Sequence, residues 1–331
     1  MIPNQWYVLL ESAEVRHRPV AARRLGERLV FWRDGQGRVA CQVDCCAHRG
    51  ARLSAGELRG DGIQCPFHGL EYARDGRCRL VPANGRAAKV EARFRVRSYP
   101  THEEAGFIWV YWSQAAQTEG SDAPPPPPRF FPDLGGPFFY TTVQDFWPTH
   151  YSRVIENQLD VAHLPFVHYN TIGRGNRTVV DGPVVKWLEE NAFRVYVFNR
   201  RDVGTPARRP EELALTPEPE FHLEFRFPNI WQNHISRQVR VVAAFVPVDD
   251  ENTVLYLRFY QSFLRLPGLG KLLTRLAMPY NLKIAHQDRR VVLTQEPKRT
   301  GLRIGEQLLQ ADLPIVAYRK RREELMAREA R

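Results

Sequence analysis

Five consecutive prolines, Pro124 to Pro128, constrain this chain more than any other feature. Proline fixes φ near about −65° and has no N–H to donate. Such a run can neither continue a helix nor pair in a sheet, and it favours an extended, left-handed polyproline form. It follows the polar stretch Ser113 to Ala123, and together they predict an interdomain linker over residues 114–129. The 331 residues then divide into domains at 1–113 and 130–331. With 43% hydrophobic and 25% charged residues the chain can bury a sizeable core, which excludes wholesale disorder. No internal repeat is visible.

Before the linker, the apolar runs Arg28 to Trp32 and Arg38 to Val43 flank an Asp-Gly-Gln-Gly turn. A second Asp-Gly turn, at Asp75 and Gly76, follows Leu70 to Ala73. An all-β first domain is expected. After the linker, Arg153 to Val167 has helical character, and Leu272 to Gln295 reads as a helix interrupted near Pro279. The segments Arg194 to Asn199, Phe221 to Phe227, Val239 to Val248 and Val254 to Phe263 are rich in β-branched and aromatic residues. An antiparallel sheet covered by helices is expected there, which makes the whole chain α+β.

The formal charge of +10 would permit nucleic acid, an anionic membrane or an acidic protein as partner. Much of it lies between Arg16 and Arg28 and in the tail Arg319, Lys320, Arg321, Arg322, Arg328 and Arg331, runs expected to be solvated faces. No stretch approaches the roughly 18 to 20 apolar residues of a bilayer span, and the start Met-Ile-Pro-Asn-Gln-Trp does not resemble a signal peptide. A cytoplasmic protein without a membrane partner is expected. In that reducing compartment the cysteines Cys41, Cys45, Cys46, Cys65 and Cys78 point to metal binding ahead of disulfides.

Two constellations carry chemistry. In CAHRGARLSAGELRGDGIQCPFHG, the pairs Cys46 with His48 and Cys65 with His68 each sit in a short loop closed by Gly50 or Gly69. Two thiolates can hold one iron and two imidazoles another, the ligand set of a Rieske 2Fe-2S cluster. A structural zinc is the competing reading, although zinc sites usually pair Cys with Cys and His with His. Cys41 and Cys78, in strand-like runs, read as buried small apolar residues, and Cys45 lacks the two-residue spacing to His48.

The second constellation, ENQLDVAHLPFVH, places Asp160, His163 and His168 within nine residues. Asp160 and His163 are expected on one helical face. The five-residue step to His168 would send the imidazoles to different sides of a continuous helix unless Pro165 disturbs it. Two histidines and a carboxylate suit ferrous iron that activates dioxygen. The third ligand is expected at Asp288, with Glu296 and then Glu156 as alternatives.

Together these motifs resemble the Rieske non-heme iron oxygenases, especially the short class that includes vanillate O-demethylase, dicamba monooxygenase and pheophorbide a oxygenase. The resemblance covers both domains in order. It implies a Rieske domain followed by a helix-grip catalytic domain. Cys46 and Cys65 would ligate one cluster iron, His48 and His68 the other, and His163, His168 and Asp288 a mononuclear Fe(II). It further implies a homotrimer in which electrons cross between subunits past Asp160, and it places Asn157 near the iron. Cys45 departs from the family's usual residue.

No dinucleotide fingerprint is present, so a separate ferredoxin or flavin-dependent reductase is expected to deliver electrons. An acidic carrier would use the basic surface, whereas no nucleic-acid reading module is visible. Gly268 and Gly270 miss phosphate-loop spacing and read as a turn. The expected activity is hydroxylation or oxidative demethylation of a small organic substrate with O2, a monooxygenase outcome ahead of dihydroxylation. The alternatives are a Rieske electron carrier without oxygenase activity and a nucleic-acid-binding zinc protein. Trp147, Tyr151, Trp187, Phe221 and Trp231 are candidate pocket residues, with core packing as the competing role.

Overall fold

The computed structural model describes residues 1–113, 124–127, 129–173 and 175–328, and the chain divides between Phe130 and Phe131 into two compact units. Most of the linker expected over 114–129 lies outside the described residues.

The first unit is built of β1 (Gln5–Glu11), β2 (Val20–Arg24), β3 (Glu27–Arg33), β4 (Val39–Val43), β5 (Glu57–Arg59), β6 (Gly62–Gln64), β7 (Glu71–Ala73), β8 (Cys78–Leu80), β9 (Ser98–Tyr99), β10 (Thr101–Glu104) and β11 (Phe107–Trp112). They form three antiparallel sheets, ordered β1-β11-β10, β2-β3-β4-β9 and β5-β6-β7-β8. The Asp-Gly-Gln-Gly turn joins β3 to β4 because the Asp34 carboxylate accepts the N–H groups of Gln36 and Arg38 at 3.0 and 2.9 Å. Trp32, Leu53, Ile63, Leu70 and Tyr72 share one buried cluster with Cys46 and Cys65, so apolar packing fixes both cysteines from behind.

In the second unit β12 (Phe139–Trp147), β13 (Val179–Glu189), β14 (Ala192–Arg200), β15 (His222–Arg226), β16 (Ile230–Ser236), β17 (Val239–Pro247) and β18 (Thr253–Gln261) form one antiparallel sheet, ordered β12-β18-β17-β16-β15-β14-β13. Four helices accompany it: α1 (Tyr151–Leu159), α2 (Leu164–Val167), α3 (Pro267–Val292) and α4 (Leu313–Ala327). Across β15 to β18 the facing residues alternate. Odd-numbered residues such as Leu223, Trp231, Val241, Ala243 and Leu257 turn to the helix-bearing side. Even-numbered Glu224, Gln232, Arg240 and Arg258 turn away from it into polar pairs, such as Arg240 with Asp133 at 2.9 Å. The helix α3 packs along β12, where Thr274 and Thr141 share a hydrogen bond of 2.7 Å.

Several expectations are corrected here. The helix over Arg153 to Val167 breaks in two. Tyr151, Val154, Ile155 and Leu159 are buried in α1 together with the polar Ser152, Arg153 and Glu156. Asp160 then turns extended, at ψ 125°, and its carboxylate accepts the N–H groups of Ala162 and His163 at 2.7 and 3.2 Å. This local turn competes with the helix and ends it. Asp160 and His163 therefore meet through a turn and not along a helical face, and Pro165 lies in the first turn of α2, where its missing N–H costs nothing.

The helix α3 runs unbroken past Pro279, which lies on its exposed face, where the carbonyl left without a partner can be hydrated. Gly268 and Gly270 belong to the first turn of α3 and do not form a separate turn. A Cβ on Gly270 would stand 2.5 Å from the Phe139 ring, so glycine allows the helix to pass the strand. The C-terminal basic run is only partly solvated. Arg319, Arg321 and Arg322 are buried, because Arg319 grips the Glu156 carboxylate with two bonds of 2.8 and 2.6 Å and Arg322 donates to Thr300 O at 2.7 Å.

Candidate functional site

In the first unit, two loops of the same build face each other. Cys46 N–H donates to Ala51 O at 2.8 Å and Gly50 N–H returns to Cys46 O at 3.0 Å. In the second loop Cys65 N–H donates to Leu70 O at 2.8 Å and Gly69 N–H returns to Cys65 O at 3.1 Å. Gly50 and Gly69 close the loops at φ +71° and +72°, a conformation costly for a residue with a Cβ. The thiols are buried and the imidazoles of His48 and His68 are exposed, with ring centroids 4.6 Å apart. The Tyr72 hydroxyl lies 3.1 Å from Cys46 Sγ.

Burial, joined by the neighbouring Cys46 sulfur, holds the Cys65 thiol above its ordinary pKa, partly offset by the N–H groups of Phe67 and His68. Inward sulfurs and outward imidazoles suit two irons, the imidazole-bound one nearer solvent. The four donors do not close on one point as a zinc site requires. Among the described residues, only His163, His168 and Asp288 bring three donor atoms within 4.8 Å of one another. Cys41 and Cys78 are buried, as expected of small apolar residues, while Cys45 is exposed.

In the second unit, His163 begins α2, His168 ends it, and Asp288 projects from α3. Asp288 Oδ1 lies 3.3 Å from His163 Nε2 and 2.9 Å from His168 Nε2. Burial would raise the Asp288 pKa, but the two imidazoles hold it at about 2. Burial would likewise lower His163, but Asp160 and Asp288 hold it at about 9. One buried carboxylate oxygen approached by two ring nitrogens is a donor set that a divalent cation completes.

Each of the three has a polar neighbour. Asp160 Oδ1 stands 3.6 Å from His163 Nδ1, Gln287 Oε1 lies 2.9 Å from His168 Nδ1, and Gln158 Nε2 reaches Asp288 Oδ2 at 3.4 Å. Neither glutamine is announced by any metal-ligand spacing. Glu296 is exposed and pairs with Lys298 at 3.1 Å, and Glu156 is held by Arg319, so neither joins the group.

A cavity of about 170 Å³ lies over this trio, walled by Phe221, Leu223, Trp231, Val241 and Leu257 of the sheet side. Asn157 and Asp160 line it too. Of the aromatic candidates, Phe221 and Trp231 reach the cavity. Trp147 and Tyr151 are buried outside it, and Trp187 is 44% exposed.

The comparisons with known proteins agree with this chemistry. The sequence profile of the Rieske 2Fe-2S domain matches residues 5–100, and that of the vanillate O-demethylase oxygenase C-terminal domain matches residues 147–328. The chain belongs to the Rieske oxygenase family that joins these two domains. Members combine a Rieske cluster with a mononuclear non-heme iron.

The chain is 31% identical over 178 residues to chlorophyllide a oxygenase of Oryza sativa subsp. japonica, covering 53% of this chain and 30% of that protein. It is 30% identical over 196 residues to the vanillate O-demethylase oxygenase subunit of Pseudomonas sp. (strain HR199 / DSM 7063), covering 56% and 50%. The chain thus matches half or less of these relatives' own length. Pseudomonas putida CBB5 NdmA superposes with a TM-score of 0.77 at 23% identity, over 99% of this chain and 92% of that one. Dicamba monooxygenase bound to dicamba gives 0.72 at 21%, over 100% and 99%. At these identities the likeness is one of fold.

Proposed function

We propose that this chain is the oxygenase component of a system that uses O2 and two electrons from a separate reductase or ferredoxin to hydroxylate or oxidatively demethylate a small organic substrate. The observation that carries the reading is the convergence of His163, His168 and Asp288 beneath a mostly apolar cavity, in a chain that also holds the paired Cys/His loops. A Rieske electron carrier would have no use for the second constellation.

In this proposal Cys46 and Cys65 hold one cluster iron, His48 and His68 the other, and His163, His168 and Asp288 the mononuclear iron. The bound ferrous iron would supply dioxygen activation. The chain's own residues orient and exclude: Gln287 and Asp160 fix the ring directions, Gln158 fixes the carboxylate, and the apolar wall keeps bulk water from the reacting face. A monooxygenase outcome is favoured by the relatives named as demethylases.

Residues 1–113 would form the Rieske domain, 114–129 the linker and 130–331 the catalytic domain. A ferredoxin or flavin-dependent reductase would supply the electrons. A cytoplasmic setting suits five cysteines that form no disulfide. Three chains would form a ring, with Asp160 between one subunit's iron and its neighbour's cluster. Anaerobic reconstitution followed by metal analysis tests the core of the reading. About three irons and two acid-labile sulfides per chain are expected, with His163→Ala and His168→Ala each losing the mononuclear iron and turnover but not the cluster spectrum. A stable zinc content with no sulfide would overturn it.

A further inference from the structure

We propose that the cavity of the second unit selects an uncharged substrate, an apolar ring carrying a hydrogen-bonding amide-like or carbonyl group, and rejects the carboxylate or sulfonate of the same shape. This rests on the reading of the cavity as the oxygenase site.

The first support is a charge count. Among the described residues that line the cavity, none is lysine or arginine. The carboxylates on its wall are those of Asp160 and Asp288. With ferrous iron bound, its two positive charges equal these two negative ones. An anionic substrate would leave water and meet no uncompensated cation, and burying an unpaired charge is strongly unfavourable. The positive surface of the chain, however large in total, does not reach this wall.

The second support is the inventory of polar side chains. Gln158 is tied to Asp288 at 3.4 Å, Asn199 to Val161 O at 3.4 Å, and Asn281 to Ala277 O at 2.9 Å. Besides His163 Nδ1 and Asp288 Oδ1 of the candidate metal site, three polar atoms on the same wall are buried and have no hydrogen-bond partner: Asn157 Nδ2, Trp231 Nε1 and Asn233 Oδ1. Buried polar atoms are nearly always satisfied, so an unsatisfied set facing a cavity marks where a ligand bonds. Amide and indole groups that offer both donors and an acceptor match a group that both accepts and donates, as a carboxamide does. Trp231 and Asn233 lie two apart on β16 and so share the cavity side of the sheet.

The test uses the iron-loaded, cluster-replete protein and three probes of one shape: 4-methoxybenzamide, 4-methoxybenzoate and protonated 4-methoxybenzylamine, each titrated by calorimetry without reductant. The amide is expected to bind at least about tenfold more tightly than either ion. Asn233→Leu should weaken the amide without changing iron content, and Asn233→Lys should shift the preference toward the benzoate. Equal or tighter binding of the benzoate by the wild-type protein, or no measurable binding of the amide, overturns the proposal. Iron content and turnover with a surrogate reductase are measured on the same samples. An amide preference in a protein that never turns over would refute the oxygenase reading alone, whereas turnover with a benzoate preference would refute this inference alone.

Discussion

His163 carries the pH behaviour of the second site. In the metal-free chain its folded pKa stands at about 9, held up by Asp160 and Asp288 against burial. A pKa raised on folding contributes stability that is fully present below the unfolded value, about 6.5, and is lost as pH rises through the folded one. Metal-stripped protein should therefore melt at progressively lower temperature between about pH 6.5 and 9. Iron-loaded protein should not, because iron binds the neutral ring. Thermal melts of both forms check this, and parallel profiles would remove the coupling between ring and carboxylates. Gln287→Leu should weaken mononuclear iron affinity by roughly 10- to 100-fold while sparing the cluster spectrum, since it frees the His168 ring to rotate. An unchanged iron dissociation constant would show the Gln287 contact to be incidental.

Residues with a spacing rule, Cys46, His48, Cys65, His68, His163 and His168, are legible in the sequence as candidates. Asp288 is less so, because it lies on a distant helix to which no spacing points. Gln158 and Gln287 are invisible there, because an amide that orients a ligand obeys no periodicity of its own.

At the scale of elements, the join between α1 and α4 decides how firmly the ligand segment is placed. Arg319 and Glu156 are both buried, and Arg153 adds a bond to Glu306 at 2.6 Å. Arg319→Met would leave the Glu156 carboxylate only the longer approach of Arg153 at 3.6 Å and should cost about 3–5 kcal/mol of stability, whereas replacing both partners with apolar residues should recover much of that loss. Denaturant unfolding of the single and double variants tests this. Loss of less than about 1 kcal/mol in the single variant would mean that Arg153 or water replaces Arg319 at Glu156.

Composition presents this arginine run as a solvated face, because charge patterns in sequence do not reveal a carboxylate waiting on another helix. Strands β14, β15, β17 and β18 are legible from β-branched and aromatic runs. Strands β12, β13 and β16 are not, since their mixed residues answer to a polar network on one side and a cavity on the other. The break at Asp160 is hidden for a related reason: a side chain bonding its own backbone overrides a local apolar pattern.

For the whole molecule, the order of the two metal-binding patterns is legible in the amino-acid sequence, since each lies in a short stretch of chain and the prolines separate them. The assembly is not, because contacts between copies leave no local signature. If three chains form a ring with Asp160 at its joints, light scattering should give three chains per particle. Asp160→Asn should keep most of its metal and yet pass electrons slowly in a single turnover from the reduced cluster. Near-wild-type yield and rate would deprive Asp160 of that role.

The division between odd and even positions in the sheet also bears on how such a chain can change. The proposed iron ligands come from the two ends of α2 and from α3, while the facing wall comes from alternate residues of five neighbouring segments, Val197 to Leu257. A single substitution on that wall, such as Ala243 to a larger side chain, alters what fits without touching a ligand or its steering amide. Descendants of one ancestor can thus exchange substrates by drift at every second residue of a strand while inheriting the oxidising machinery intact.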